Sequence, residues 1–156
     1  MIKNLCCIFL ILTMGNNIME LNSINDYFNY VSDICIFYDN KQYVIDNNEE
    51  QNILNELINV TNDSHEMPAF GVAIDNETRE ALKSGMWIEL YFDTTMSHRD
   101  MPFDSLLINV EPDSSGFNLI RKYDNKYEGR CYYISLNNNT MKDLHDTIVN
   151  ITTKKS

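Results

Sequence analysis

Three histidines, four cysteines and a pair of closely spaced carboxylates are the residues of this sequence whose types suit catalysis or metal binding. His65, His98 and His145 stand far apart, and none has a second His or a Cys at metal-ligand spacing. His65-Glu66 lacks the second His of a zinc-binding helix, and the run from Asp124 to Gly129 has Lys126 where a calcium loop needs Asp or Asn. No metal site is expected and no cofactor is implied. The tripeptide His98-Arg99-Asp100 matches the start of a kinase catalytic loop, but Ser105 stands where the metal-binding Asn belongs, no Gly-rich loop precedes it, and the chain is far too short. These three residues read instead as an exposed loop.

Cys131 lies within Arg130-Cys131-Tyr132-Tyr133-Ile134, a setting in which a thiol packs in a core rather than acts as a nucleophile. Cys6, Cys7, Cys35 and Cys131 form neither a paired CxxC zinc pattern nor a disulfide-dense framework. Free buried thiols are expected, with a Cys35–Cys131 disulfide open to an exported form. Glu89 and Asp93 share one side of a strand but lie roughly 13 Å apart along it, wider than paired glycosidase carboxylates. With Trp87 and Tyr91 they make a face that is either an amphipathic surface half-covered by a helix or a binding surface. No Gly-rich loop is present to cradle a phosphate. Catalysis is thus unmarked, and the balance falls against an enzyme.

The elements that carry these residues follow from periodicity. Apolar positions Leu21, Ile24, Tyr27, Phe28 and Val31 predict an amphipathic helix over 20–32. β-rich runs at 34–38 and 43–45 flank Asp39-Asn40-Lys41, which predicts a hairpin. Asn48, followed by two glutamates and then Ile53, Leu54, Leu57 and Ile58, predicts a capped helix to about Val60, ending in a loop over 61–66. A short strand at 70–74 leads to Asp75 as a helix cap, with a third helix over 78–83 closed by Gly85.

Four strand-like runs, at 86–93, 103–110, 117–123 and 127–136, are separated by short turn-forming stretches and predict an antiparallel meander. In the first, Met86, Ile88, Leu90 and Phe92 point to a core, and Trp87, Glu89, Tyr91 and Asp93 point the other way. In the last, Glu128, Arg130, Tyr132, Ile134 and Leu136 share one side, so a suitable register would add Arg130 and Tyr132 to the Trp87 face. A final helix over 141–151 carries Leu144, Ile148 and Ile151 on one stripe.

The chain has 156 residues and a net charge of −11, with 5 Lys/Arg against 19 Asp/Glu in residues 1–114 and 7 against 4 in residues 115–156. Such an excess of negative charge disfavours nucleic acid and anionic lipid as partners. Asn-x-Ser/Thr triplets begin at Asn59, Asn62, Asn76, Asn138 and Asn150, but Asn is so frequent that composition accounts for most of them.

Residues 1–18 form one segment, a Lys followed by about ten nearly continuous apolar positions: signal-peptide length, too short for a confident membrane span, and without an A-x-A cleavage site. It reads as an incomplete export signal, as an early element of the fold, or as a start placed too far upstream of Met14 or Met19. Residues 19–156 are expected to form a single soluble domain. A cytoplasmic location is the expectation, with export or surface attachment through residues 1–15 as the alternative.

The expected fold is α+β, with helices packed on one face of a mainly antiparallel sheet that ends in a four-strand meander. The function reached by elimination is a small acidic interaction domain, of inhibitor or immunity type, docking on a basic protein partner. Its contact residues would be Trp87, Glu89, Tyr91, Asp93, Arg130 and Tyr132. The rival readings are an exported or surface-attached ligand-binding domain and a cofactor-free enzyme. Partner identity and oligomeric state are not encoded in any motif.

Overall fold

The computed structural model describes residues 18–67 and 71–155. The apolar run up to residue 17, and Phe70 of the strand expected at 70–74, lie outside the described residues. The fold is α+β, and its antiparallel sheet follows from three tight hairpins. Asp39-Asn40, Arg99-Asp100 and Asp124-Asn125 all have positive φ, between 48° and 60°, as two-residue hairpin loops of the type that suits strand twist require. They join β2 (Asp33–Tyr38) to β3 (Lys41–Val44), β6 (Met86–His98) to β7 (Met101–Asn109), and β8 (Gly116–Tyr123) to β9 (Lys126–Tyr127). Asp and Asn tolerate this conformation better than other residues with a side chain.

Among the described residues nine strands form the main sheet, in the order β3-β2-β6-β7-β8-β11-β4, where β11 is Tyr132–Ser135 and β4 is His65–Met67. Two short strands extend the pairing: β1 (Met19–Glu20) runs parallel to the end of β6, and β9 pairs with the end of β8. The expected meander is present as β6-β7-β8-β11, but its last run, 127–136, is broken into three. Between β9 and β11 the chain leaves the sheet, pairs β10 (Gly129–Arg130) with β5 (Val72–Ala73), and returns.

One face of the sheet carries the main core. Ile34, Ile36, Ile88, Leu90, Leu106, Ile108, Leu119 and Ile134 are buried there against α1 (Asn47–Thr61) and α3 (Lys142–Lys154), which contribute Ile53, Leu57, Leu144 and Ile148. α1 is capped by Asp46 rather than Asn48. The Asp46 side chain accepts from the N–H groups of Asn48 and Glu49, and Glu49 accepts from the Asp46 N–H in return.

The helix expected over 20–32 is a 3₁₀ helix at Ile24–Tyr30, opened by a capping box between Ser23 and Asp26. Before it, Met19–Glu20 form the short strand β1 and 21–23 lead into the cap. The Tyr27 hydroxyl accepts from the Leu21 N–H and donates to the Ser97 carbonyl, tying this stretch to the end of β6.

A further helix, α2 (Asp75–Ala81), lies against the opposite face, which it meets at Trp87 and Tyr127. Asp75 is its first residue rather than its cap. The Asp75 carboxylate accepts instead from Arg79 Nε and from the Tyr127 N–H, both at 2.9 Å, which ties α2 to β9. Those two donors, with the Arg79 bond the larger influence, hold the Asp75 carboxyl below its ordinary range. Among the described residues no helix is long and apolar enough to cross a membrane.

Candidate functional site on the half-covered face

Strand pairing arranges this second face in rows. The register sets Phe37 opposite Trp87, Trp87 opposite Asn109, and Asn118 opposite Tyr133. Asn109 and Asn118 come together one step beyond the Ile108–Leu119 pair. The next row runs Cys35, Glu89, Leu107, Ile120, and the one after it Asp33, Tyr91, Ser105, Lys122, Tyr127.

Glu89 is 1% exposed and sits where these last two rows meet. Its Oε1 accepts from Ser105 Oγ at 2.6 Å and from Lys122 Nζ at 3.0 Å; its Oε2 accepts from the hydroxyls of Tyr91 at 2.7 Å and Tyr127 at 3.0 Å. Lys122 Nζ also lies over the Tyr127 and Tyr91 rings, 5.0 and 5.6 Å from their centroids, and the Arg79 guanidinium stands 5.3 Å from the Tyr127 centroid. Burial, reinforced by the adjacent Glu89 charge, raises both tyrosine hydroxyls well above their ordinary range, so they remain neutral donors.

Each oxygen of this carboxylate therefore carries two donors. Glu89 does not line the depressions that open on the same face. The arrangement holds a buried anion in place; it leaves no lone pair turned toward a substrate. Cys35, opposite Glu89, is a free thiol that burial pushes up to about 11, and Cys131 is free and buried too. Neither is poised as a nucleophile at neutral pH.

Trp87, two residues before Glu89, is partly open. Its indole Nε1 donates to the carbonyls of Ala81 and Ser84, at 3.1 and 2.8 Å, which docks the end of α2 on the sheet. The rest of the ring borders three adjoining depressions of about 310, 390 and 290 Å³. Among the described residues, Glu77 and Glu111 are their only carboxylates, no Lys or Arg lines them, and His145 lines one.

The six residues singled out from the sequence thus separate. Trp87 and Tyr91 stay on this face, partly exposed, and Asp93 is exposed in the irregular stretch of β6 between Tyr91 and Met96. Glu89 is on the face but sealed beneath its four donors. Arg130 is exposed on β10, away from the β6 ladder. Tyr132 lies opposite Leu119 on the main-core face, 1% exposed, with its hydroxyl donating to the His98 carbonyl. The register that would have joined Arg130 and Tyr132 to Glu89 and Tyr91 is not formed, because β11 pairs with β8 and β4 rather than β6.

His98 is a further correction to the expected exposed loop. Only Arg99 and Asp100 are exposed; His98 is the last residue of β6 and 3% exposed. Its Nε2 lies 2.9 Å from Glu66 Oε2 and its ring packs edge-on against Tyr27 and Tyr132, while Nδ1 has no hydrogen-bond partner among the described residues. Ser105, Lys122 and Tyr127, which complete the Glu89 cluster, had no signal in the sequence, since they stand 16, 33 and 38 positions from Glu89. Among the described residues no group of three or more His, Cys, Asp or Glu could hold a metal ion.

No family model, no curated protein and no solved structure matches this chain.

Proposed function

We propose that this protein is an acidic interaction domain that docks a basic protein partner on the half-covered face around Trp87. The observation that carries the reading is the lining of the three depressions Trp87 shares, where, among the described residues, the acidic side chains are Glu77 and Glu111 and no Lys or Arg is found. A large, partly exposed indole held by two backbone carbonyls is a rigid anchor, and flanking carboxylates favour a cationic partner. The chain's −11 charge adds long-range attraction for the same partner. Glu89 supports the surface from below, since its donors come from β6, β7, β8 and β9 and fix their positions.

The chain has one Trp, so intrinsic fluorescence reports this surface directly. Titration with polylysine should shift Trp87 emission, with an affinity that falls steeply as salt is raised, and polyglutamate should leave the emission unchanged. Two variants of equal net charge separate the site from the overall charge. Glu77→Gln/Glu111→Gln should weaken binding, whereas Glu56→Gln/Asp143→Asn, at a depression between α1 and α3, should not. Equal loss in both variants, or no Trp87 response to polylysine, would sink the reading.

A further inference from the structure

The row from Trp87 to Tyr133 is more selective than a general acidic surface, and we infer that it takes one arginine side chain of the partner, with the guanidinium stacked on Trp87 and bound by Glu111. This rests on the reading of the face as a docking surface for a basic protein. In the depression of about 310 Å³, two aromatics stand at the ends of a cross-strand row with the carboxamides of Asn109 and Asn118 between them. That volume is at the small end of ligand pockets and suits a single long side chain better than a cofactor.

The polar groups in this depression offer a surplus of acceptors. Asn109 Nδ2 donates to Glu111 Oε1 at 2.9 Å, which consumes a donor and orients both side chains. Glu111 Oε2 and the side-chain Oδ1 of Asn109 make no hydrogen bond with the described residues, and among those residues no Lys or Arg lines the depression. A group that satisfies two such acceptors while lying flat on an indole must be planar, cationic and rich in N–H donors. Guanidinium meets all three conditions; a lysine ammonium lacks the plane and the fork of donors. Gly116 lets the Tyr133 side chain lie close over the strand at this end of the depression, because a Cβ there would collide with the Tyr133 hydroxyl and the Ile134 carbonyl.

The test compares three otherwise identical Ser-Gly peptides, carrying arginine, lysine or citrulline at the same positions, by calorimetry and Trp87 fluorescence. The arginine peptide should bind about tenfold more tightly than the citrulline one and several-fold more tightly than the lysine one. Glu111→Gln should abolish the arginine preference, and Glu77→Gln should leave it intact. Glu111 is exposed, so an unchanged thermal midpoint for Glu111→Gln will show that folding is not at issue. Polylysine binding with no preference for arginine would overturn this inference and leave the docking surface standing. Failure of polylysine and all three peptides would remove both. Citrulline binding as tightly as arginine would exclude a guanidinium site.

Discussion

Glu89 and Lys122 meet at 3.0 Å beneath α2, with the carboxylate side chain 1% exposed and the lysine 17%. This ion pair links β6 to β8 across the intervening β7, whose Ser105 donates to the same carboxylate oxygen as the lysine. A buried pair of this kind adds little over a well-packed apolar pair, but breaking one half of it is costly.

Glu89→Gln should therefore lower stability by about 3 kcal/mol, because the Lys122 ammonium loses its counter-charge while remaining largely buried. Adding Lys122→Met should recover most of that loss, since the glutamine oxygen still accepts on one side, its amide N–H groups can donate on the other to hydroxyls that turn to accept, and the uncompensated charge is gone. Urea denaturation of both single variants and the double variant measures the coupling. Additive losses would show that the pair is not coupled.

Alkaline pH should destabilise the fold. Burial pushes Cys35 up from 9.0 to about 11 and, with the nearby Glu89 charge, raises Tyr91 and Tyr127 above their ordinary 10.0; Tyr132 is also raised, mainly by burial. All four groups bind their protons more tightly when folded. The stability they contribute is complete below about pH 9 and falls as pH rises toward 11, because the unfolded chain releases those protons first. Urea midpoints should be level from about pH 7 to pH 9 and decline above that. Tyr127→Phe should flatten the decline, and an unchanged slope in that variant would count against the account.

Gly129→Ala should destabilise the excursion between β9 and β11. Gly129 has φ +85°, and a Cβ there would run into the Arg121 guanidinium. That guanidinium donates to the carbonyls of Arg130, Pro102 and Glu128, at 3.0, 2.9 and 3.4 Å, and so fastens the loop to β7. The expected loss is about 2 kcal/mol. In an Arg121→Lys background the added methyl meets a narrower side chain, so the two losses should sum to more than the double variant shows. Thermal denaturation of the four proteins decides this, and strict additivity would contradict the proposed clash.

Local signals made much of the fold legible. Asp39-Asn40 and Asp124-Asn125 marked hairpin turns because short polar side chains tolerate positive φ. The alternation of Met86, Ile88, Leu90 and Phe92 assigned the buried side of β6, because successive side chains in a strand point to opposite faces. The stripe of Leu144, Ile148 and Ile151 assigned the buried side of α3 for the same kind of reason. Glu49, three residues after Asp46, carried the earlier start of α1, although Asn48 offered a competing cap.

Other features depended on partners that local periodicity does not specify. Tyr132 had the alternation of a face residue, but whether its side met Glu89 or the main core was settled by β11 pairing with β8. His98 belonged to a turn-like stretch, yet β6 runs two residues short of the next strand and buries it against Tyr27 and Tyr132. The sequence by itself determined most of the long strands and helices, the turns at Asp39-Asn40 and Asp124-Asn125, the acidic charge and the inward side of β6 and α3, because these are set by neighbours a few positions away. The tertiary structure alone decided that Glu89 is enclosed by Ser105, Lys122 and Tyr127 while Trp87 stays open beside it. Strand register and the placement of α2 bring together residues up to 38 positions apart, and burial there depends on what covers a side chain rather than on its own type.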